Sequence, residues 1–187
     1  MDRRLFLCSA FAWPLTAQAA PTPYQLAPNS EVEFTFFLAG APSRGRMPIL
    51  DADLQLDFRR VSASRVAVTL DAAGAKTNLP LANGALKGPS ILDTARYPQI
   101  RYTSTSVRAE AGGAAVSGNL ALRDQTRPVP LNARFFRQPD REPGDLSRLV
   151  IELRGALSRA AFGATGFGDL VADRIELRCL ATIDRVG

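Results

Sequence analysis

Apolar residues recur at every second position along most of this chain. Val32, Phe34, Phe36 and Leu38 share one face of a run whose other face carries Glu31, Glu33 and Thr35, the mark of a half-buried strand. Leu54, Leu56 and Phe58 alternate with Asp53, Gln55 and Asp57, and Val66, Val68 and Leu70 make a third strand. Ile100, Tyr102 and Ser104 begin a fourth, and Val116, Gly118, Leu120 and Leu122 lie on one face of a fifth. After a turn at Asp124-Gln125, Val129, Leu131, Ala133 and Phe135 oppose Asn132 and Arg134. Leu149, Ile151 and Leu153 oppose Glu152 and Arg154, and Ile175, Leu177, Cys179 and Ala181 oppose Glu176 and Arg178. Turn signals separate the strands, among them Ala111-Gly112-Gly113 and the stretch from Pro139-Asp140 to Pro143-Gly144-Asp145. Eight such strands without a crossover helix predict an all-β fold, an antiparallel up-and-down barrel. Its interior has room for side chains or one slender ligand.

One stretch, Leu86 to Thr105, breaks the alternation between the third and fourth strands. Gly88-Pro89 stops any preceding element, Ser90 can cap a short helical turn, and Tyr97-Pro98 forces extended backbone before Ile100. Its apolar residues Leu86, Ile91, Leu92 and Tyr97 need something to cover, and in a barrel that is the mouth or the cavity. The segment therefore reads as a short helical lid or plug.

Alternation does not say which face points inward, so an outer-membrane barrel with apolar residues toward lipid is the competing orientation. The chain ends in Arg185-Val186-Gly187 rather than an aromatic residue, and its one Trp is Trp13, so aromatic girdles are missing. Both features favour apolar side chains inside.

Residues 1–19 read as an export signal. Arg3-Arg4 precedes an apolar run from Leu5 to Leu15, and Ala17-Gln18-Ala19 is a small-x-small cleavage site. Two arginines followed closely by Leu5-Phe6-Leu7 fit a twin-arginine signal as well as an ordinary secretory one. Removing this segment leaves residues 20–187 as a single domain in the periplasm, with 21 basic and 17 acidic residues. That balance is only mildly basic, and 19 of the 21 are Arg, so the charge does not point to a nucleic-acid partner. Cys8 leaves with the signal, and Cys179 alone cannot form an internal disulfide. Stability must come from packing.

The chain has no histidine, which removes the usual general base, the usual transition-metal ligand and any Ser-His-Asp or Cys-His arrangement. Asp51, Asp53, Asp57 and Asp93 are nominal acids, yet alternate carboxylates on a strand are ordinarily its solvated face. Cys179 belongs to the inward series of the last strand and reads as a small buried hydrophobe. Gly163, Gly166 and Gly168 precede a strand and lack the helix of a phosphate loop. No catalytic or metal-binding residue is assigned. Phe34, Phe36, Phe58, Tyr102, Leu120, Leu122, Phe135, Leu153 and Phe162 either line a cavity or fill a dry core.

Five ordered motifs between Tyr24 and Ile183 resemble the YceI-like family of exported lipid-binding proteins. The first is Tyr24-Gln25-Leu26-Ala27-Pro28-Asn29-Ser30-Glu31-Val32-Glu33-Phe34, with Asn29 where the family has His. Next come the Gly40–Gly45 bend and the Leu86–Thr105 block with its Tyr-Pro pair. The hairpin from Val116-Ser117-Gly118 to Pro128-Val129-Pro130-Leu131 follows, with Asp124-Gln125 in place of a Gly-apolar turn. Last are Ser158-Arg159-Ala160-Ala161-Phe162-Gly163 and Asp173-Arg174-Ile175-Glu176-Leu177.

The resemblance implies a lipocalin-like barrel that holds a polyisoprenoid, such as a quinone tail or isoprenyl phosphate, without catalysis and without a required cofactor. Cavity-lining candidates are then Phe34, Phe36, Phe58, Leu86, Ile91, Leu92, Tyr97, Tyr102, Leu120, Leu122, Phe135, Leu153 and Phe162. Head-group candidates are Arg123, Arg127 and Arg159. The resemblance also allows an accessory protein docking on a membrane redox partner such as a cytochrome; a homodimer and, ranked last, a lipid-modifying enzyme stand beside it as readings the resemblance does not imply.

Overall fold

The computed structural model describes residues 20–186 apart from 29, 137–141 and 143. The export-signal reading, Asn29 and most of the turn from Pro139 to Pro143 lie outside the described residues. Strands are β1 (Thr22–Leu26), β2 (Glu31–Leu38), β3 (Ala41–Leu56), β4 (Arg65–Asp71), β5 (Lys76–Thr77) and β6 (Gln99–Glu110). They continue with β7 (Gly113–Leu122), β8 (Gln125–Pro128), β9 (Leu131–Phe136), β10 (Arg148–Ser158) and β11 (Arg174–Arg185). The one α-helix among the described residues is α1 (Ala82–Lys87).

Every strand pairing is antiparallel, and β11 pairs with β2 to close the sheet on itself. The result is a closed eight-stranded antiparallel barrel in which three staves are broken. β1 and β2 both lie between β11 and β3. β4 and β5 pair in turn with β3, and β8 and β9 share β7. Closure leaves no free sheet edge along most of the wall, so backbone polar groups are paired within the barrel.

The apolar series faces inward, as expected for the soluble orientation. Two register shifts let long strands keep that face. In β3 the inward positions are odd through Ile49 and even from Ala52, with a bulge between Ile49 and Asp51 that leaves Leu50 exposed. In β6 the phase changes from even to odd between Ser104 and Ser106, and the Ser104 hydroxyl accepts the Val66 N–H at 2.9 Å across the gap. An extra residue in one strand flips the later side chains, so each bulge lets a strand bend while its apolar residues stay inside.

Three local expectations need correction. The helix of the lid precedes Gly88 and ends there, with the Gly88 N–H donated to Ala85 O; Ser90 caps nothing, and residues 88–97 are successive turns. The β7–β8 turn is Arg123-Asp124, with Arg123 at φ +57°, and Gln125 already belongs to β8. Phe58 lies two residues beyond the end of β3.

The two ends of the barrel are closed differently. At one, Phe58 stands edge-on to Tyr24 (5.8 Å between ring centroids) and to Phe135 (5.5 Å), an aromatic floor of the favoured T-shaped kind. Asp57 fixes the bend beneath it by accepting the N–H groups of Arg59 and Arg60 at 3.0 and 2.7 Å. At the other end stand α1, the turns to Tyr97, the β2–β3 hairpin tip and the loop from Arg159 to Asp173. Phe162, 2% exposed, is among the largest fully buried side chains; its short 3-10 turn, Ala160–Phe162, packs by β8, which has no pairing with β10.

Candidate functional site

Two cavities lie inside. The barrel cavity, of about 160 Å³, is walled by inward residues of almost every stave, including Val32, Ile49, Val68, Leu120, Leu153 and Leu177. Its polar lining is confined to Asp57, Ser64 and the Tyr102 hydroxyl, and each is tied to protein. The Ser64 hydroxyl accepts the Asp57 N–H at 2.9 Å, and the Tyr102 hydroxyl donates to Val129 O at 3.2 Å. Burial pushes the Tyr102 hydroxyl up to about 12 and the Cys179 thiol, also in this wall, up to about 11; neither ionises near neutral pH. The Tyr102 ring lies directly over Gly118, where any Cβ would collide with it.

The lid cavity, of about 190 Å³, is bounded by Phe34, Phe36 and Leu38 of β2, by Ala82, Ala85 and Leu86 of α1, and by Ile91. Phe167, Leu170, Val171 and Ile175 close it from the opposite loop. Phe34 lies flat on Gly45, whose missing side chain makes its place. Along β3, Met47 stands between Gly45 and Ile49, at the height between the two cavities. Met47, Leu92, Ile100, Leu122 and Phe162 are all buried in the packed core. They line neither cavity; the register of β3, β6 and β7 puts Met47, Ile100 and Leu122 at the level between the two, and Leu92 and Phe162 belong to the same buried cluster, the dividing layer.

Sequence-predicted positions thus divide. Phe58, Tyr102, Leu120, Phe135 and Leu153 face the barrel cavity, and Phe34, Phe36, Leu86 and Ile91 face the lid cavity. Leu92, Leu122 and Phe162 do not reach either wall, because each lies in the dividing layer. Tyr97 is half-buried at the surface with the Arg96 guanidinium 5.3 Å above its ring. Val32, Val68, Ala133 and Ala181, placed on apolar strand faces by the alternation but not among the cavity candidates, also line the barrel cavity, and Met47, outside every predicted strand, is buried on the inward phase of β3.

The three arginines differ in role. Arg159, 7% exposed, borders the lid cavity, but its guanidinium donates to the carbonyls of Ala164, Gly166, Val171 and Ala172 at 2.6–3.2 Å. It is the hub on which the 164–172 loop is wound. Arg123 donates to Ile91 O at 3.0 Å and Gly163 O at 2.7 Å, stapling the lid turns to the 3-10 turn. Arg127 is exposed and bonds Gln125. Among the described residues there is no group of three or more His, Cys, Asp or Glu that could hold a metal ion.

A closed barrel with an apolar, partly empty interior is the architecture of proteins that hold hydrophobic ligands. The model of the YceI-like domain matches residues 24–183, and the chain belongs to that family. Protein YceI of Salmonella arizonae is 31% identical over 133 residues, covering 71% of this chain and 69% of the relative; that of Salmonella newport is 30% identical over the same length. Among solved structures, Burkholderia cenocepacia BcnA superposes with a TM-score of 0.74 at 17% identity, covering 84% of this chain and 99% of that one. The Campylobacter jejuni YCEI protein gives 0.61 at 18%, covering 76% and 84%. At those identities the two structures speak to the fold alone.

Proposed function

We propose that the protein is an exported, non-catalytic carrier that holds a polyisoprenoid or a similar amphiphile inside the barrel, in the periplasm. The observation that carries this reading is the pair of apolar cavities inside one barrel, lined at successive inward positions by Val32 and Phe34 of β2 and by Leu177 and Ile175 of β11. Each cavity is near the volume at which an engineered apolar cavity takes up one benzene, so as they stand each suits about one isoprene unit. A longer chain needs the dividing layer to part, and Met47, unbranched and adaptable, is suited to that place. Burying apolar carbons at about 0.8 kcal/mol per CH₂ supplies affinity without polar contacts. The absence of histidine and the engagement of every polar lining group with backbone support a binding rather than a chemical role. With Arg159 and Arg123 already engaged by carbonyls, the apolar tail is the recognised part of the ligand.

The test is organic extraction of the natively purified protein followed by mass spectrometry. Isoprenoid or quinone recovered near one per chain supports the reading; repeated recovery of none, with no uptake of added prenol, contradicts it.

A further inference from the structure

Three apolar side chains stand in solvent at the lid end. Leu81, just before α1, is fully exposed, and Phe167 and Leu170 on the facing loop are 52% and 55% exposed. Phe167 and Leu170 also line the lid cavity, and Ala82, next to Leu81, lines it from the other side. Apolar surface therefore runs unbroken from the cavity to the rim, and a solvent-facing rim of this kind signals an interaction site.

The charge around it is distinctive. The chain contains two lysines, Lys76 and Lys87, and they adjoin the lid-cavity residues Thr77 and Leu86. Arg44, whose N–H is held by Asn78, lies on β3 one residue from the Gly45–Thr77 pair. None of these three cations has an ion-pair partner among the described residues. Of the nearby carboxylates, Glu31 is paired with Arg46, Glu176 with Arg174, and Asp173 accepts the Ala160 N–H. Asp169 on the 164–172 loop and Asp124 in the β7–β8 turn are exposed at this end, and neither is in an ion pair among the described residues.

We propose that this rim docks on an anionic phospholipid surface, with Leu81, Phe167 and Leu170 entering the interface and Lys76, Lys87 and Arg44 meeting the head groups. Lysine is depleted from protein–protein interfaces. At a bilayer its long stem lies along apolar surface while the ammonium reaches phosphate. The docking extends the carrier reading, since it would present the lid cavity to the lipid, yet it is measured without any bound ligand.

The experiment places a single Trp at the rim (Leu81→Trp) or at the opposite end (Ser62→Trp) of the natively purified chain, whose one native Trp leaves with residues 1–19. Vesicles of phosphatidylglycerol and phosphatidylcholine with brominated acyl chains then quench whichever Trp enters the bilayer. Quenching at 81 and not at 62 is expected, with partition lowered at least about thirtyfold by Lys76→Glu with Lys87→Glu and weakened on pure phosphatidylcholine. No quenching at 81, or equal quenching at both positions, overturns the proposal and indicates a protein partner or a freely solvated rim. Quenching at 81 with no isoprenoid in the extract and no uptake of added prenol sinks the carrier reading and leaves the docking standing.

Discussion

Ala133 offers a direct way to fill the barrel from its own wall. It sits on β9 opposite Leu153 and Ala114, and all three face the 160 Å³ cavity. Ala133→Phe adds a benzene-sized ring to a cavity of the size that holds benzene. At about 24 cal/mol per Å³, filling it completely would stabilise the fold by at most about 4 kcal/mol, and imperfect fit removes about 1–3 kcal/mol of that. The variant should therefore fold with a denaturation midpoint equal to or above that of the wild type. Ligand binding should fall sharply. One displaced isoprene unit, five carbons at about 0.8 kcal/mol each, is worth about 4 kcal/mol, and half of that is still about thirtyfold in Kd. Equilibrium dialysis with labelled farnesol measures the loss, and Asn132→Phe, one residue along on the outer face, should bind normally. Should Ala133→Phe fail to fold, Ala181→Leu fills the same cavity from β11. A folded, cavity-filled variant that binds farnesol as tightly as the wild type would refute the barrel interior as the binding place.

Other consequences follow from the same geometry. Phe162→Ala removes a fully buried ring from the dividing layer and should destabilise by about 3–5 kcal/mol, read as a Tm roughly 6–20 °C lower. Glu152 accepts from Arg154 and Arg178, both at 2.8 Å, and these bonds hold its carboxyl at about 2 against an ordinary 4.5. Its contribution is complete above pH 4.5 and is lost as pH falls toward 2. Glu152→Gln should lower the urea midpoint at pH 7 and flatten its fall across that window, while an unchanged slope would clear this pair. Asp57 and Asp173, also held low by hydrogen bonds, keep the slope from vanishing. Cys179, half-buried on the wall of the barrel cavity and with its thiol pushed up to about 11, should resist iodoacetamide at pH 8 until the chain unfolds. Arg159→Met strips the donors from four carbonyls and should make the 164–172 loop the first site of proteolysis, with stability lower by about 2 kcal/mol or more.

The barrel was legible because one face of each strand is buried, which writes period two into the sequence. The first half of β3 was not. Pro42, Gly45 and Pro48 make Ala41–Ile49 look like a loop, yet Pro48 falls opposite the gap between β5 and β4, where no ladder is interrupted. The bulges near Leu50 and Thr105 hide for a related reason: a phase shift in alternation reads locally as the end of one strand and the start of another. Within the interior, Leu120 and Leu122 share a face and differ only in height. One borders the cavity and the other lies in the dividing layer, because tertiary closure by Leu92 and Phe162 sets that level. Tyr97 is drawn outward by Arg96. The role of Arg159 was written only faintly, in a loop rich in Gly and Ala that offers a guanidinium carbonyls and few side chains.

An apolar chain that occupies the barrel and lid cavities must bind with an affinity that depends on its length, and a ladder of prenols measures that dependence. Delipidated protein titrated with five-, ten-, fifteen- and twenty-carbon prenols should bind more tightly by at least about tenfold for each unit that finds room, since a unit buries roughly 4 kcal/mol of apolar surface at full contact. The gain should stop once both cavities are filled, and Ala133→Phe should shift that limit to a shorter chain. Affinity independent of length, or no binding at any length, would contradict the account.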